Sequence, residues 1–231
     1  MNRKHAEKHF IEKIKEDKIL KDVEAVTDSY CELIKLFPDN PDYRKELLEY
    51  LYFNYKYTQP LDWEEYLDKG IELAKNARND IPDKSESIFF LYEYKFIVEL
   101  IRYDASYAEE FETEYMHTLL NEAIKSDPFN AEAYLEKGNL YEAEDEFEKA
   151  EKEFEKAEHI RSSDTALFNI ATNNEVTGNI EKAIENYKKL GNNTKSDIVK
   201  KIAWESLIGI YKKTGETDKV DYYEDLLDEL D

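Results

Sequence analysis

The side chains in this sequence with reactive potential are His5, Glu7 and His9, the thiol of Cys31, and a large population of Asp and Glu. His5 and His9 lie four apart, a spacing that brings two imidazoles to one face of a helix, as metal-binding helices require. A Glu that works on a metal-bound water must directly follow the first His. Glu7 sits two residues on, points away from the His face, and has no third ligand beside it. The expectation is therefore a mobile, solvated N-terminal helix. His117 and His159 have no catalytic partner in the sequence. Cys31 falls on an apolar stripe with Val23, Val26, Tyr30 and Ile34, the setting of a buried structural thiol rather than a nucleophile. As the single cysteine, it permits no intramolecular disulfide, no Cys-rich zinc spacing and no Cys-x-x-Cys pair. There is no phosphate loop, dinucleotide fingerprint or nucleophile elbow. Acids are so frequent that no one pair stands out as general acid and base. The chemistry points to no catalytic residues, no metal and no cofactor.

Charge narrows the partners. With 54 acids against 32 bases the net charge is −22, which disfavours nucleic acid and anionic membrane. The N-terminal stretch carries cations but no continuous apolar core, so it reads as neither a secretory signal nor an anchor. The most apolar run, Ile88 to Ile101, contains Glu93, Lys95 and Glu99 and is too short to span a bilayer. A cytoplasmic setting fits the single thiol, and the sequon Asn192-Asn193-Thr194 then carries no weight.

The elements that must position any site are helices. Only six Gly and five Pro occur, and turn signals cut the chain into about a dozen helical segments. In Phe37-Pro38-Asp39-Asn40-Pro41, Pro38 takes Phe37 out of helical geometry, Asn40 can cap the next helix, and Pro41 suits its first position. Asp127-Pro128-Phe129-Asn130 repeats the device. Further breaks fall at Thr58-Gln59-Pro60, Ile81-Pro82-Asp83, Ser162-Ser163, Thr177-Gly178-Asn179, Gly191 to Lys195 and Thr214-Gly215, and Asp62 with Glu65 forms a capping box. On Ile88 to Tyr103, Lys95, Glu99 and Arg102 make one narrow charged stripe on an otherwise apolar helix, which is either central to the fold or an assembly surface. The tyrosine-rich cluster Tyr50-Leu51-Tyr52-Phe53 with Tyr55 and Tyr57 reads mainly as core filling.

Residues 144 to 159 spell one heptad almost twice, with Phe147, Ala150, Phe154 and Ala157 as the apolar positions. Two heptads are too few for a coiled coil. The same pattern returns 33 residues later as Ile180, Ala183, Tyr187 and Leu190. Tyr134 likewise corresponds to Leu167 and Trp204, and Ala150 to Ala183 and Val220, with shared intervals of 33 and 37. Two landmarks with one spacing establish a repeat.

On these residues the stretch 131 to 226 resembles tetratricopeptide repeats. The best copy holds Tyr134, Gly138, Tyr141, Ala150, Phe154 and Ala157, with Lys137 and Ser162 departing from the pattern. The second has Leu167, Ile170, Ala171, Ala183 and Tyr187, with Asn174 in place of a Tyr. The third has Trp204, Leu207, Tyr211, Gly215 and Val220, with Glu224 where an aromatic is expected, as suits a solvated end cap. The resemblance implies an all-α, right-handed superhelical solenoid of about six antiparallel helix pairs. It would be one repeat domain over 1–231, divergent over 1–126 and recognisable over 127–231.

It further implies a non-catalytic protein-interaction adaptor or scaffold whose first helices line a groove. Carried over position by position, the groove comprises Leu135, Glu136, Asn139 and Glu142, then Phe168, Asn169, Thr172 and Glu175, then Glu205, Ser206, Gly209 and Lys212. Members that clasp a chaperone's C-terminal carboxylate use cations and amides here, whereas Leu135 and Glu136 occupy two of those places. The acidic, amide-bearing wall instead suits a basic or amphipathic peptide. The alternative is a structural subunit that forms homo-oligomers or other assemblies through a solenoid end or the 88–103 helix.

Overall fold

In the computed structural model, residues 3–58, 63–80 and 86–230 are described. They form twelve α-helices and one 3₁₀ turn, with no strand among them. The turns placed at Gln59-Pro60 and Ile81-Pro82-Asp83, and the Asp62 half of the capping box, lie outside these residues. None of the helices is long and apolar enough to cross a membrane. The helices gather into two units, Met1–Pro128 and Phe129–Asp231, and the boundary falls at the second proline turn.

The first unit contains α1 (Arg3–Leu20), α2 (Val23–Leu36), α3 (Pro41–Thr58), α4 (Trp63–Asp80), α5 (Glu86–Tyr103), the 3₁₀ turn Ala105–Glu109 and α6 (Thr113–Ser126). Each helix packs on the next, and α3 also meets α5. Three helices of 18 residues and the 3₁₀ turn lie between Pro38 and Pro128. Helix α5 is central, burying Phe89, Leu91, Tyr94, Phe96, Ile97 and Leu100. It also buries Glu93 completely, against Arg78 of α4 at 2.6 Å.

Helix α1 is docked rather than mobile, contrary to the sequence expectation. Ala6 and Ile14 are buried, Tyr43 donates to Glu7 at 2.6 Å, and the Arg3 Nε–H donates to the C-terminal carbonyl of Leu36 at 2.8 Å. A basic side chain on exposed C-terminal carbonyls satisfies acceptors the helix cannot. His5 and His9 remain exposed. Cys31 is half-buried rather than buried, and burial still pushes its thiol pKa up, away from nucleophilic character.

The second unit contains α7 (Ala131–Ala143), α8 (Phe147–Ile160), α9 (Asp164–Val176), α10 (Ile180–Asn193), α11 (Asp197–Thr214) and α12 (Thr217–Asp228). Successive helices again pack together, and connections of a few residues fold them as helical hairpins. Side chains of Asn130, Ser163 and Ser196 accept from the Ala133, Ala166 and Val199 amides, capping α7, α9 and α11. Within each hairpin the chain reverses through one left-handed residue: Asp145 (φ 59°), Gly178 (φ 79°) and Gly215 (φ 79°). Their intervals are again 33 and 37 residues, so the backbone keeps the register of the side-chain repeat.

The acidic helix α8 is the second member of its hairpin. Ala150, Phe154 and Ala157 are buried on it, while Glu148, Lys152 and Glu155 are exposed. Gly138 is small because a Cβ there would stand 2.3 Å from the Phe154 ring. Gly191 corrects a sequence expectation: it does not break a helix but lies inside α10, where a Cβ would come 2.7 Å from Trp204 Nε1. The break comes after it, where Thr194 donates to Asp164 at 2.6 Å; the sequon's hydroxyl is thus engaged internally. On α12, Tyr223, one residue before Glu224, supplies the aromatic and stacks on Tyr211 at 6.0 Å.

Candidate functional site

The first helices of the three hairpins, α7, α9 and α11, are cross-linked in succession by side chains. Asn169 Nδ2 donates to Asn139 Oδ1 at 2.9 Å, joining α9 to α7, and Asn139 Nδ2 donates to Glu136 at 3.2 Å. Lys213 of α11 pairs with Glu175 of α9 at 3.1 Å, and Tyr187 of α10 also donates to that carboxylate, at 3.3 Å. The structure thereby brings Glu136, Asn139 and Asn169 together, while Glu175 is held separately by Lys213 and Tyr187. The two asparagines spend part of their hydrogen-bonding capacity on each other and are not fully open to a ligand.

Other predicted positions fall differently. Leu135 and Phe168 are half-buried and pack against the core rather than standing out as apolar steps, and Phe168 meets Tyr187 edge-on at 6.2 Å. Thr172 donates to the Phe168 carbonyl at 3.1 Å, and Ser206 to that of Ile202 at 2.9 Å. Glu205 is exposed. Lys212 turns away to Glu224 of α12 at 2.8 Å; the cation that meets α9 is its neighbour Lys213. One residue on a helix is a rotation of about 100°, enough to exchange the two roles. Gly209 faces open space, with nothing within 4 Å of an added Cβ.

Two features give the face chemical character. Glu142 is half-buried, and desolvation alone raises its carboxyl pKa; no basic group offsets it. Beyond Glu175 lies a cleft of about 450 Å³ lined by Thr172, Glu175, Val176, Ile180, Ile210, Lys213 and Thr214. Val176 and Ile210 have no signal in the repeat pattern, and Ile180 enters it only as a packing position, because the cleft draws on three different helices. A desolvated carboxylate and an apolar cleft rimmed by charge can receive a cation and an apolar side chain from one extended segment. Among the described residues no group of His, Cys, Asp and Glu is arranged to hold a metal ion.

Helical hairpins stacked with small residues at their crossings define a helical-repeat fold of the tetratricopeptide type. Residues 131–164, which span α7 and α8, match the family model of the tetratricopeptide repeat, and the fold of the chain is that of tetratricopeptide-repeat proteins. The pilF protein of Pseudomonas aeruginosa is similar at TM-score 0.68 and 14% identity, covering 100% of this chain and 94% of that one. A thermophilic tetratricopeptide-repeat protein of Thermus thermophilus is similar at TM-score 0.64 and 17% identity, covering 87% and 99%. MamA is similar at TM-score 0.56 and 18% identity, covering 80% and 90%. No curated protein matches the sequence.

Proposed function

We propose that this protein is a non-catalytic adaptor or scaffold that holds a basic or amphipathic peptide segment of a partner against the α7–α9–α11 face. Two observations carry the reading: the half-buried Glu142 carboxylate of α7, which no basic group neutralises, and the apolar cleft at Val176, Ile180 and Ile210 rimmed by Glu175 and Lys213. A Lys or Arg of the ligand would neutralise Glu142, and an apolar residue would enter the cleft. Glu136, Glu175 and Glu205 would speed the encounter. Binding should weaken as salt rises through physiological strength.

Gly209 supports the same reading. A glycine inside a helix costs about 1 kcal/mol relative to alanine, and no neighbour requires it here. Gly209→Ala is therefore expected to raise the melting temperature while weakening ligand binding. Glu142→Gln should behave similarly. Its carboxyl pKa is raised in the fold, so the ionised form opposes folding as pH rises through that value, and a neutral amide removes the cost. Acidification through the same range discharges Glu142 and should release a cationic ligand at a higher pH than an ordinary Glu would. The test is affinity capture from native extract with wild type, Glu142→Gln and Val176→Asp, followed by titration of the captured segment. Loss of capture in both folded variants supports the reading; capture unchanged in both overturns it.

A further inference from the structure

The first unit carries a face of opposite character. On α3, Glu49, Tyr52, Phe53 and Lys56 share one side by their three- and four-residue spacing, and on α5 Tyr92, Lys95, Glu99, Arg102 and Tyr103 do the same. The two sides meet. Tyr52 lies edge-on to Tyr92 at 5.9 Å and to Phe96 at 5.6 Å. Lys95 Nζ stands 4.3 Å from the Tyr52 ring centre and 4.9 Å from that of Tyr92. Lys56 Nζ stands 5.8 Å from Tyr52, so one ring carries two ammonium groups.

We propose that this α3–α5 face docks an acidic peptide segment of a partner protein. The acids on the face are already engaged: Glu99 is held by Arg102 at 2.8 Å and by the Tyr52 hydroxyl at 3.2 Å, and Glu49 lies 3.7 Å from Lys45. Lys56 has no carboxylate partner among the described residues. The Arg102 side chain is still 66% exposed after pairing, and Phe53 and Tyr103 are 60% and 58% exposed. Cations held over rings are pre-positioned, so less side-chain freedom is lost when an anion binds.

Neither helix stabilisation nor a lipid surface accounts for these cations as well. Lys56 and Arg102 lie in the last turns of α3 and α5, where any cation is favoured by the helix dipole. Lys95 is two turns from the end of α5, beyond the reach of the dipole. An anionic membrane would also offer negative charge, but it would face the acidic surface of a chain of net charge −22. A short segment senses mainly the charges within a screening length of about 8 Å.

The proposal does not depend on the α7–α9–α11 reading, because it uses no residue of that unit. The test is fluorescence anisotropy of a labelled short peptide of Glu and Asp around a central Phe, titrated with the full chain. Binding should weaken with salt, and the double substitution Lys56→Gln, Lys95→Gln should raise Kd by about tenfold or more. Lys152→Gln, on the exposed side of α8 in the other unit, should leave it unchanged. Equal affinity in the folded double variant would overturn the proposal, as would binding to phosphatidylserine vesicles without binding to the peptide.

Discussion

Phe154→Ala is expected to lower the stability of the second unit by about 3–5 kcal/mol, the cost of emptying a fully packed aromatic site. Phe154 is wholly buried; its ring lies against Gly138 and belongs to a cluster with Ala150 and Ile170, bordered by Leu135 and Tyr141. The glycine gives the sharper test. Gly138→Ala would ordinarily stabilise a helix by about 1 kcal/mol. Here the new Cβ would stand 2.3–2.9 Å from three atoms of a wholly buried ring, and overpacking costs about 1–3 kcal/mol. The sign should invert relative to Gly209→Ala. Urea unfolding of both alanine variants measures it; stabilisation by both would mean that the ring yields. Because Gly138 and Phe154 touch, Gly138→Ala combined with Phe154→Leu should cost less than the two single changes added.

That contact also shows what sequence could and could not convey. Gly138, Ala150 and Phe154 were legible as a packed set because they recur with fixed intervals, and the left-handed turns at 145, 178 and 215 obey the same intervals. Gly191 was misread because glycine serves both turns and close crossings, and only the position of Trp204 distinguishes them. The Asn139–Asn169 bridge joins two positions that the repeat resemblance assigns to one wall, yet nothing local says that the amides face each other. Lys212 and Lys213 exchanged roles because a periodic pattern places a face only to within a residue. The cleft beyond Glu175 draws on three helices, and the docking of α1 rests on Glu7 reaching Tyr43; neither has a local signal. The Tyr52 cluster looked like core because composition alone does not separate a buried ring from one on an outer face. Leu51 and Tyr55 are indeed buried, while Phe53 is exposed.

Glu93 is legible in the sequence as a charge on the apolar side of a helix whose other charges form a stripe. Such a group must be paired, and the pair predicts the largest effect in the first unit. Glu93 is wholly buried; it receives Arg78 at 2.6 Å and the Tyr115 hydroxyl, and the guanidinium lies 4.7 Å over the Phe90 ring. Burial pushes its carboxyl pKa up, while Tyr115 and Arg78 pull it down. Arg78→Met leaves the carboxylate buried without its cation and should cost about 3–5 kcal/mol. Arg78→Met with Glu93→Leu should recover most of that, since a well-packed apolar replacement of a buried pair is often neutral. The pH dependence separates a charge effect from lost packing. A raised folded pKa means that protonation favours the native state, so the stability of Arg78→Met should rise as pH falls from neutral toward the ordinary glutamate range and be lost again as pH rises through the folded pKa. The double variant should lack this slope between neutral pH and the glutamate range. Hydrogen exchange of the α4 and α5 amides reads the first unit separately from the second. A flat pH profile in Arg78→Met would show that Arg78 acts there through its packing on Phe90 and not through its charge.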